Sequence, residues 1–192
     1  MKKKIKIIEY FDEINNLLQE ALVTGIKGRA YSLDSSFRDI MKLAINLKRK
    51  NNKLIFIGNG GSASIASHMA TDFLKNGGIP AIAFNDASLI TCLGNDLGYE
   101  NIFKKPIELL AGKGDLLVAI SSSGRSANIL QAVLAAKEKS CFIVTLSGFK
   151  SDNPLRAMGD INFYTGSSSY GHVETAHSAI CHCLLDMIME KA

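Results

Sequence analysis

From Lys53 onward the chain alternates short unbroken apolar runs with turns and helical stretches, and that alternation points to a doubly wound α/β sheet. The runs are Leu54–Ile57, Ala81–Phe84, Leu116–Ile120, Phe142–Leu146 and Ile161–Tyr164. Each is too short to be a helix and apolar at consecutive positions, as strands are when helices cover both faces of a parallel sheet. Helical stretches are expected at about 62–76, 126–138 and 171–190, between and after these runs.

The first quarter reads differently. Between Ile7 and Val23, Ile7, Phe11, Ile14, Leu18, Ala21 and Leu22 recur at three- and four-residue steps, which predicts an amphipathic helix. A turn is expected around Gly25 to Ser32. Asp34 or Ser35 can then cap a second helix with Phe37, Ile40, Met41, Ala44 and Leu47 on one face. One domain of 192 residues is expected, with residues 1–50 as a helical hairpin and 53–192 as the α/β core. Apolar residues at 47% and charged residues at 21% suit such a core.

Charge and cysteine usage exclude several classes. The net charge of +4 leans on Met1-Lys2-Lys3-Lys4 and Lys48-Arg49-Lys50, expected as solvated helix ends without a contiguous basic stripe, so no nucleic-acid partner is expected. Cys92, Cys141, Cys181 and Cys183 lack metal-type spacing and read as reduced thiols, three of them in apolar runs, which fits a cytoplasmic location. No run reaches membrane-spanning length, so an unexported soluble chain without a membrane partner is expected.

Ligands of open parallel sheets bind outside the carboxyl ends of the strands, so the turns there carry the functional signal. Gly58-Asn59-Gly60-Gly61-Ser62 follows the first run, and its glycines let backbone N–H groups and a helix N-terminus approach an anion. Ser121-Ser122-Ser123-Gly124-Arg125-Ser126 follows the third, offering hydroxyls and amides at one point, as a phosphate monoester requires. The glycine turn also satisfies a loose Gly-x-Gly-x-x-Ala dinucleotide fingerprint, with Asp86 as a candidate ribose acid. That rival reading leaves the serine turn unexplained.

Together with Gly94-Asn95-Asp96, these two turns resemble the sugar isomerase (SIS) family, and the resemblance runs the length of the chain. Within that family the pattern is most similar to the phosphoheptose isomerases. The resemblance implies a five-stranded parallel sheet, a homotetramer with active sites between subunits, and interconversion of sedoheptulose 7-phosphate and D-glycero-D-manno-heptose 7-phosphate for bacterial surface glycans. It implies a sugar-phosphate substrate, zinc or another divalent metal, and no nucleotide cofactor. A non-catalytic phosphosugar-binding or regulatory member is the alternative.

Carried over position by position, the resemblance puts substrate contacts at Asn59, Gly60, Gly61, Ser62, Asp72, Asn95, Asp96, Ser121, Ser122, Ser123, Ser126 and Glu174. Asp96 can equally be a turn residue. Metal ligands fall on His68, Asp72, Glu174 and His182, with Asp72 as catalytic base and His182 as acid. The chain departs from the family pattern in having Asp72 for a glutamate, Glu174 for a glutamine and Gly171 for an aspartate. His68 and Asp72, four residues apart, share a helix face, whereas Glu174 and His182 stand about 12 Å apart along a straight helix. Either that helix bends or different subunits supply the two. Arg125, at the start of a helix, is expected to be solvated.

Overall fold

Each apolar run forms a strand, and what surrounds the strands explains why. The structure is a computed structural model and describes residues 5–191. The lysines at positions 2–4, expected as a solvated helix end, lie outside the described residues. The elements are α1 (Ile7–Gln19), β1 (Leu22–Gly25), β2 (Ala30–Tyr31), α2 (Leu33–Arg49), β3 (Leu54–Gly58) and α3 (Gly61–Lys75). They continue through β4 (Ala81–Ala83), α4 (Ala87–Leu97), α5 (Lys104–Leu110), β5 (Leu116–Ser121), α6 (Ala127–Glu138), β6 (Phe142–Ser147), β7 (Ile161–Tyr164) and α7 (Tyr170–Met189).

The sheet order is β2-β1-β7-β6-β5-β3-β4. The five expected strands are mutually parallel. Two further strands extend the sheet to seven: β1 runs antiparallel to β7, pairing Leu22 with Tyr164 and Gly25 with Ile161, and β2 folds back on β1. The expected turn at 25–32 is therefore the tip of a hairpin, and α1 stops at Gln19 instead of reaching Val23. Val23 and Thr24 are β-branched and favour the pleat over the helix, while the edge of β7 offers unpaired backbone groups. The second helix also starts earlier than expected. Ser32, not Asp34 or Ser35, is its cap, with Oγ accepting from the Ser35 amide at 3.2 Å.

Consecutive strand residues face opposite layers. Leu54, Phe56, Leu116, Val118 and Ile120 point into a core shared with α2, α3 and α7. Ile55, Ile57, Leu117 and Ala119 point into a second core shared with α5 and α6. Burial on both faces is why these strands are continuously apolar. The basic residues Lys48 and Arg49 occupy the last turn of α2, where cations favour the helix dipole. Cys141 and Cys181 are buried thiols, pushed up to about 11 and about 12 by desolvation, and Cys92 and Cys183 are exposed.

At the amino ends of the strands one carboxylate ties β3 to β5. Asp115, 1% exposed, accepts from Lys53 Nζ at 2.6 Å, from the Lys53 amide at 2.9 Å and from the Gly112 amide at 2.9 Å. Burial pushes its pKa up, and these hydrogen bonds together hold it below the ordinary value. Asp115→Asn breaks the charged pair inside a buried network and is expected to cost about 3 kcal/mol, read as a lower urea midpoint with unchanged m-value.

Candidate active site

The strand order places the two polar turns side by side. β3 connects through α3 to β4 on one side, and β5 connects through α6 to β6 on the other, so the chain reverses direction between β3 and β5. Their carboxyl ends, paired as Gly58 with Ile120, form the crevice of a doubly wound sheet.

Gly60, with φ 54° and ψ −123°, turns the chain into α3 through backbone space that a side chain rarely enters. Gly58 is equally constrained, since a Cβ there would meet the Ser62 carbonyl at 2.5 Å. On the other turn, Gly124 has φ +60° and abuts the Asn153 side chain. Asn153, 3% exposed, donates to the Gly148 and Lys150 carbonyls and so braces the serine turn from behind.

Between the turns lies an open cavity of about 270 Å³ lined by Asn59, Gly60, Gly61, Ser62, Ser121, Ser122, Ser123, Ser126, Tyr170 and Glu174. Ser121 Oγ accepts from the Gly124 amide, and Ser122 Oγ is buried without a partner. Among the described residues no lysine or arginine lines the cavity; its attraction for an anion comes from amides, hydroxyls and the N-termini of α3 and α6. Arg125 instead pairs with Asp152 at 2.7 Å and is half-exposed, as expected of a solvated arginine. Tyr170, 63% exposed at the start of α7, was not among the expected contacts. The polar stretch that precedes it is the only signal for it in the sequence.

A second cluster lies along the seam between α3 and α7. His68 Nε2 is 3.3 Å from Asp72 Oδ2, and the His68 and His182 rings are 5.2 Å apart. One ligand atom from each of His68, Asp72 and His182 lies within 4.8 Å of the other two. Two imidazoles and a carboxylate are a donor set for zinc or a similar divalent ion. The 3.3 Å separation is also near the ~3.3 Å edge of a tetrahedron with ~2 Å metal–ligand bonds. The residues present therefore fit such an ion, and three protein ligands leave one position open.

Glu174 is not part of that cluster. α7 runs unbroken from Tyr170 to Met189, so Glu174 sits about 12 Å up its axis from His182. There its carboxylate overlies Gly61, where any Cβ would lie 2.4 Å from Oε2. The glycine at 61 thus makes room for a carboxylate at the start of α3. Asn95 and Asp96 also lie apart, exposed on α4 and bonded to each other, outside the cavity. Asp86 caps α4, its Oδ1 accepting from the Ser88 and Leu89 amides, and it lies outside the cavity between the two turns. The other two histidines of α7 are structural neighbours. His172 Nδ1 faces Glu13 at 3.4 Å and its ring packs on Tyr10, whose hydroxyl lies 2.6 Å from where a Cβ on Gly171 would be.

The doubly wound fold is that of the sugar isomerase class, and the chain belongs to the SIS domain family, whose model matches residues 9–148. Its relatives include the phosphoheptose isomerase of Escherichia fergusonii, 34% identical over 191 residues, covering 95% of this chain and 98% of that one. The solved phosphoheptose isomerase GmhA of Neisseria gonorrhoeae superposes with a TM-score of 0.81 at 27% identity, over 95% of this chain and 94% of that one. A phosphoheptose isomerase structure from Francisella tularensis gives 0.81 at 28% identity, over 96% of each. Among the described residues no helix is long and apolar enough to cross a membrane.

His177 links the packing of α7 on the carboxyl ends of β6 and β7 to pH. It is fully buried, with Nε2 3.3 Å from both Thr165 Oγ1 and the Ser147 carbonyl, and desolvation lowers its pKa from 6.5 to about 4. The folded state keeps it neutral while the unfolded chain takes up a proton below pH 6.5, so stability is full above that value and falls as pH drops towards 4. Its share of that loss is on the order of 3 kcal/mol. Urea titrations at stepped pH should show the loss, and His177→Gln should flatten it.

Proposed function

We propose that the chain is an aldose–ketose phosphosugar isomerase that interconverts sedoheptulose 7-phosphate and D-glycero-D-manno-heptose 7-phosphate. The observation that carries this reading is the meeting of two amide- and hydroxyl-rich turns at the sheet's reversal point, with an acid–base and metal-type cluster on the helices leading from it. The kinship with phosphoheptose isomerases over nearly the whole chain supports the choice of substrate.

In this reading Ser62, Ser121, Ser122, Ser123 and Ser126 hold the phosphate, with Asn59, Gly60 and Gly61 at its edge. Asp72 removes a proton from the hydroxyl-bearing carbon beside the carbonyl, and the electron pair moves through the new C=C bond onto the carbonyl oxygen, giving an enediolate. His182 as acid gives a proton to the former carbonyl carbon, while the adjacent hydroxyl passes its proton to the former carbonyl oxygen and becomes the new carbonyl. A divalent ion held by His68, Asp72 and His182 would stabilise the negative charge that develops on the carbonyl oxygen. Aspartate in place of glutamate shortens the reach of the base by one methylene, so turnover slower than in relatives with glutamate is expected.

The cavity and the cluster lie about 9 Å apart along α3 within one chain, measured from Ser62 to His68. That separation supports a complete site assembled between subunits of a homotetramer, in which the cavity and Glu174 belong to one chain and Asn95 and Asp96 come from a neighbour. The first helix supports it too. α1 has no buried residue, and Ile7, Ile8 and Phe11 are exposed at 69%, 71% and 60%. Phe11→Glu is expected to shift the protein to smaller species in light scattering coupled to size exclusion.

Two measurements test the chemistry. Purified protein should convert sedoheptulose 7-phosphate, and Asp72→Asn should lower turnover by at least ~10²-fold while phosphosugar affinity stays within about threefold. Binding without turnover in the unaltered protein would point to a regulatory member of the family instead. Glu174→Gln removes the one charged side chain that lines the cavity among the described residues, and should tighten inorganic phosphate about fivefold by calorimetry, the ~1 kcal/mol expected for one like charge in a hydrated site.

A further inference from the structure

The two turns of the cavity are joined by a pair of side-chain amides that the sequence did not reveal. Asn59, in the glycine turn, donates from Nδ2 to Asn128 Oδ1 at 2.9 Å, and Asn128 donates from its own Nδ2 to Asn59 Oδ1 at 2.8 Å. Asn128 stands in the first turn of α6, directly behind the serine turn, and is 2% exposed. The result is a closed ring of two hydrogen bonds bridging residues 69 apart in sequence.

The direction of both amides is determined. The Ile129 backbone amide, which can only donate, points at Asn128 Oδ1 at 3.0 Å. That makes Oδ1 the acceptor end of Asn128, and its Nδ2 must then face an oxygen on Asn59. The Tyr99 hydroxyl lies 3.3 Å from the same Asn59 oxygen and ties the segment after α4 to the ring. Asn59 Oδ1 therefore has two donors, and the Asn59 Nδ2 group keeps one N–H for a ligand.

We propose that Asn128 is a positioning residue. It sets the spacing between the glycine and serine turns by holding Asn59, so that amides from both turns converge on one phosphate. The ring is a stiff spacer because neither amide can turn without breaking both bonds and leaving a buried polar group unpaired. This inference rests on the phosphate-binding role given to the cavity above. Asn128 itself does not line the cavity, so its influence on a ligand passes through Asn59.

Asn128→Asp provides a chemical test. An ionised aspartate offers two oxygens, one of which opposes Asn59 Oδ1, and the ring cannot close. A protonated aspartate closes it again, its O–H donating to Asn59 Oδ1 and its C=O accepting from Asn59 Nδ2. Burial favours the neutral form of a carboxyl at this position, the Ile129 amide and the N-terminus of α6 favour the charged form, and the neutral share grows as pH falls from 8 to 5. Asn128→Ser has no such acid and cannot recover.

The readout is hydrogen exchange in the ligand-free protein, corrected for intrinsic rates, at the Ala63 amide bonded to Gly60 O and the Gly124 amide bonded to Ser121 O. Both variants should lose about tenfold in protection at pH 8, and at pH 5 the aspartate variant alone should return towards the unaltered protein. Affinity for sedoheptulose 7-phosphate at pH 8 should weaken about tenfold in both, with a smaller change in kcat than in KM. Protection within twofold of the unaltered protein in both variants, or a loss in the aspartate variant that is the same at pH 5 and pH 8, overturns the proposal. If the unaltered protein binds no sugar phosphate, the functional reading fails while the exchange data still decide the role of Asn128.

Discussion

The register of β3 against β5 is the constraint on which the site depends. Both strands end at the same level, with Gly58 opposite Ile120, and each hands the chain to a helix on a different face of the sheet. Two helix N-termini and two polar turns are thus brought together with no side chain having to reach far. At the opposite ends Asp115 fixes the same two strands through Lys53 and Gly112, so the register is held at both limits. A slip of one residue would exchange the two apolar layers and pull the turns apart.

The parts of the fold legible in the sequence were those whose burial is two-sided. Leu54–Ile57 and Leu116–Ile120 read as strands because alternate residues face different cores, and helical periodicity gave α2, α3, α6 and α7 to within a few residues. The hairpin at Leu22–Tyr31 was hidden because its strands are short and half-exposed, and because Ala21 and Leu22 continue the helical spacing of α1. What makes it a hairpin is the free edge of β7, which is distant in sequence. Helices α4 and α5 escaped notice for a related reason: they flank the second core at its margin, and no residue of α4 is buried.

The site was legible to the degree that its chemistry is local. Glycines and serines following strands announce a cradle whatever else the chain does, and every expected serine lines the cavity. His68 and Asp72 lie one helical turn apart, so their partnership could be read directly, while the arrival of His182 depends on α7 packing beside α3. Glu174, Asn95 and Asp96 came from resemblance and lie away from that cluster in the single chain, where Glu174 faces the start of α3 and the other two lie on α4. The amide pair of Asn59 and Asn128 could not be foreseen, since nothing in either residue's neighbourhood marks it as paired over such a distance.

The contact between Tyr10 and Gly171 reaches further than the two residues. Because the phenol oxygen of α1 fills the place a side chain would take at 171, the seat of the first helix and the bareness of that glycine are one structural choice. A side chain at 171 displaces the Tyr10 phenol and with it the packing of that ring on His172, and Tyr10 belongs to the helix whose apolar residues Ile7, Ile8 and Phe11 are exposed. The head of α7 and the seating of α1 are thereby coupled through a single phenol, so that a change at 171 is felt first by the Tyr10 ring.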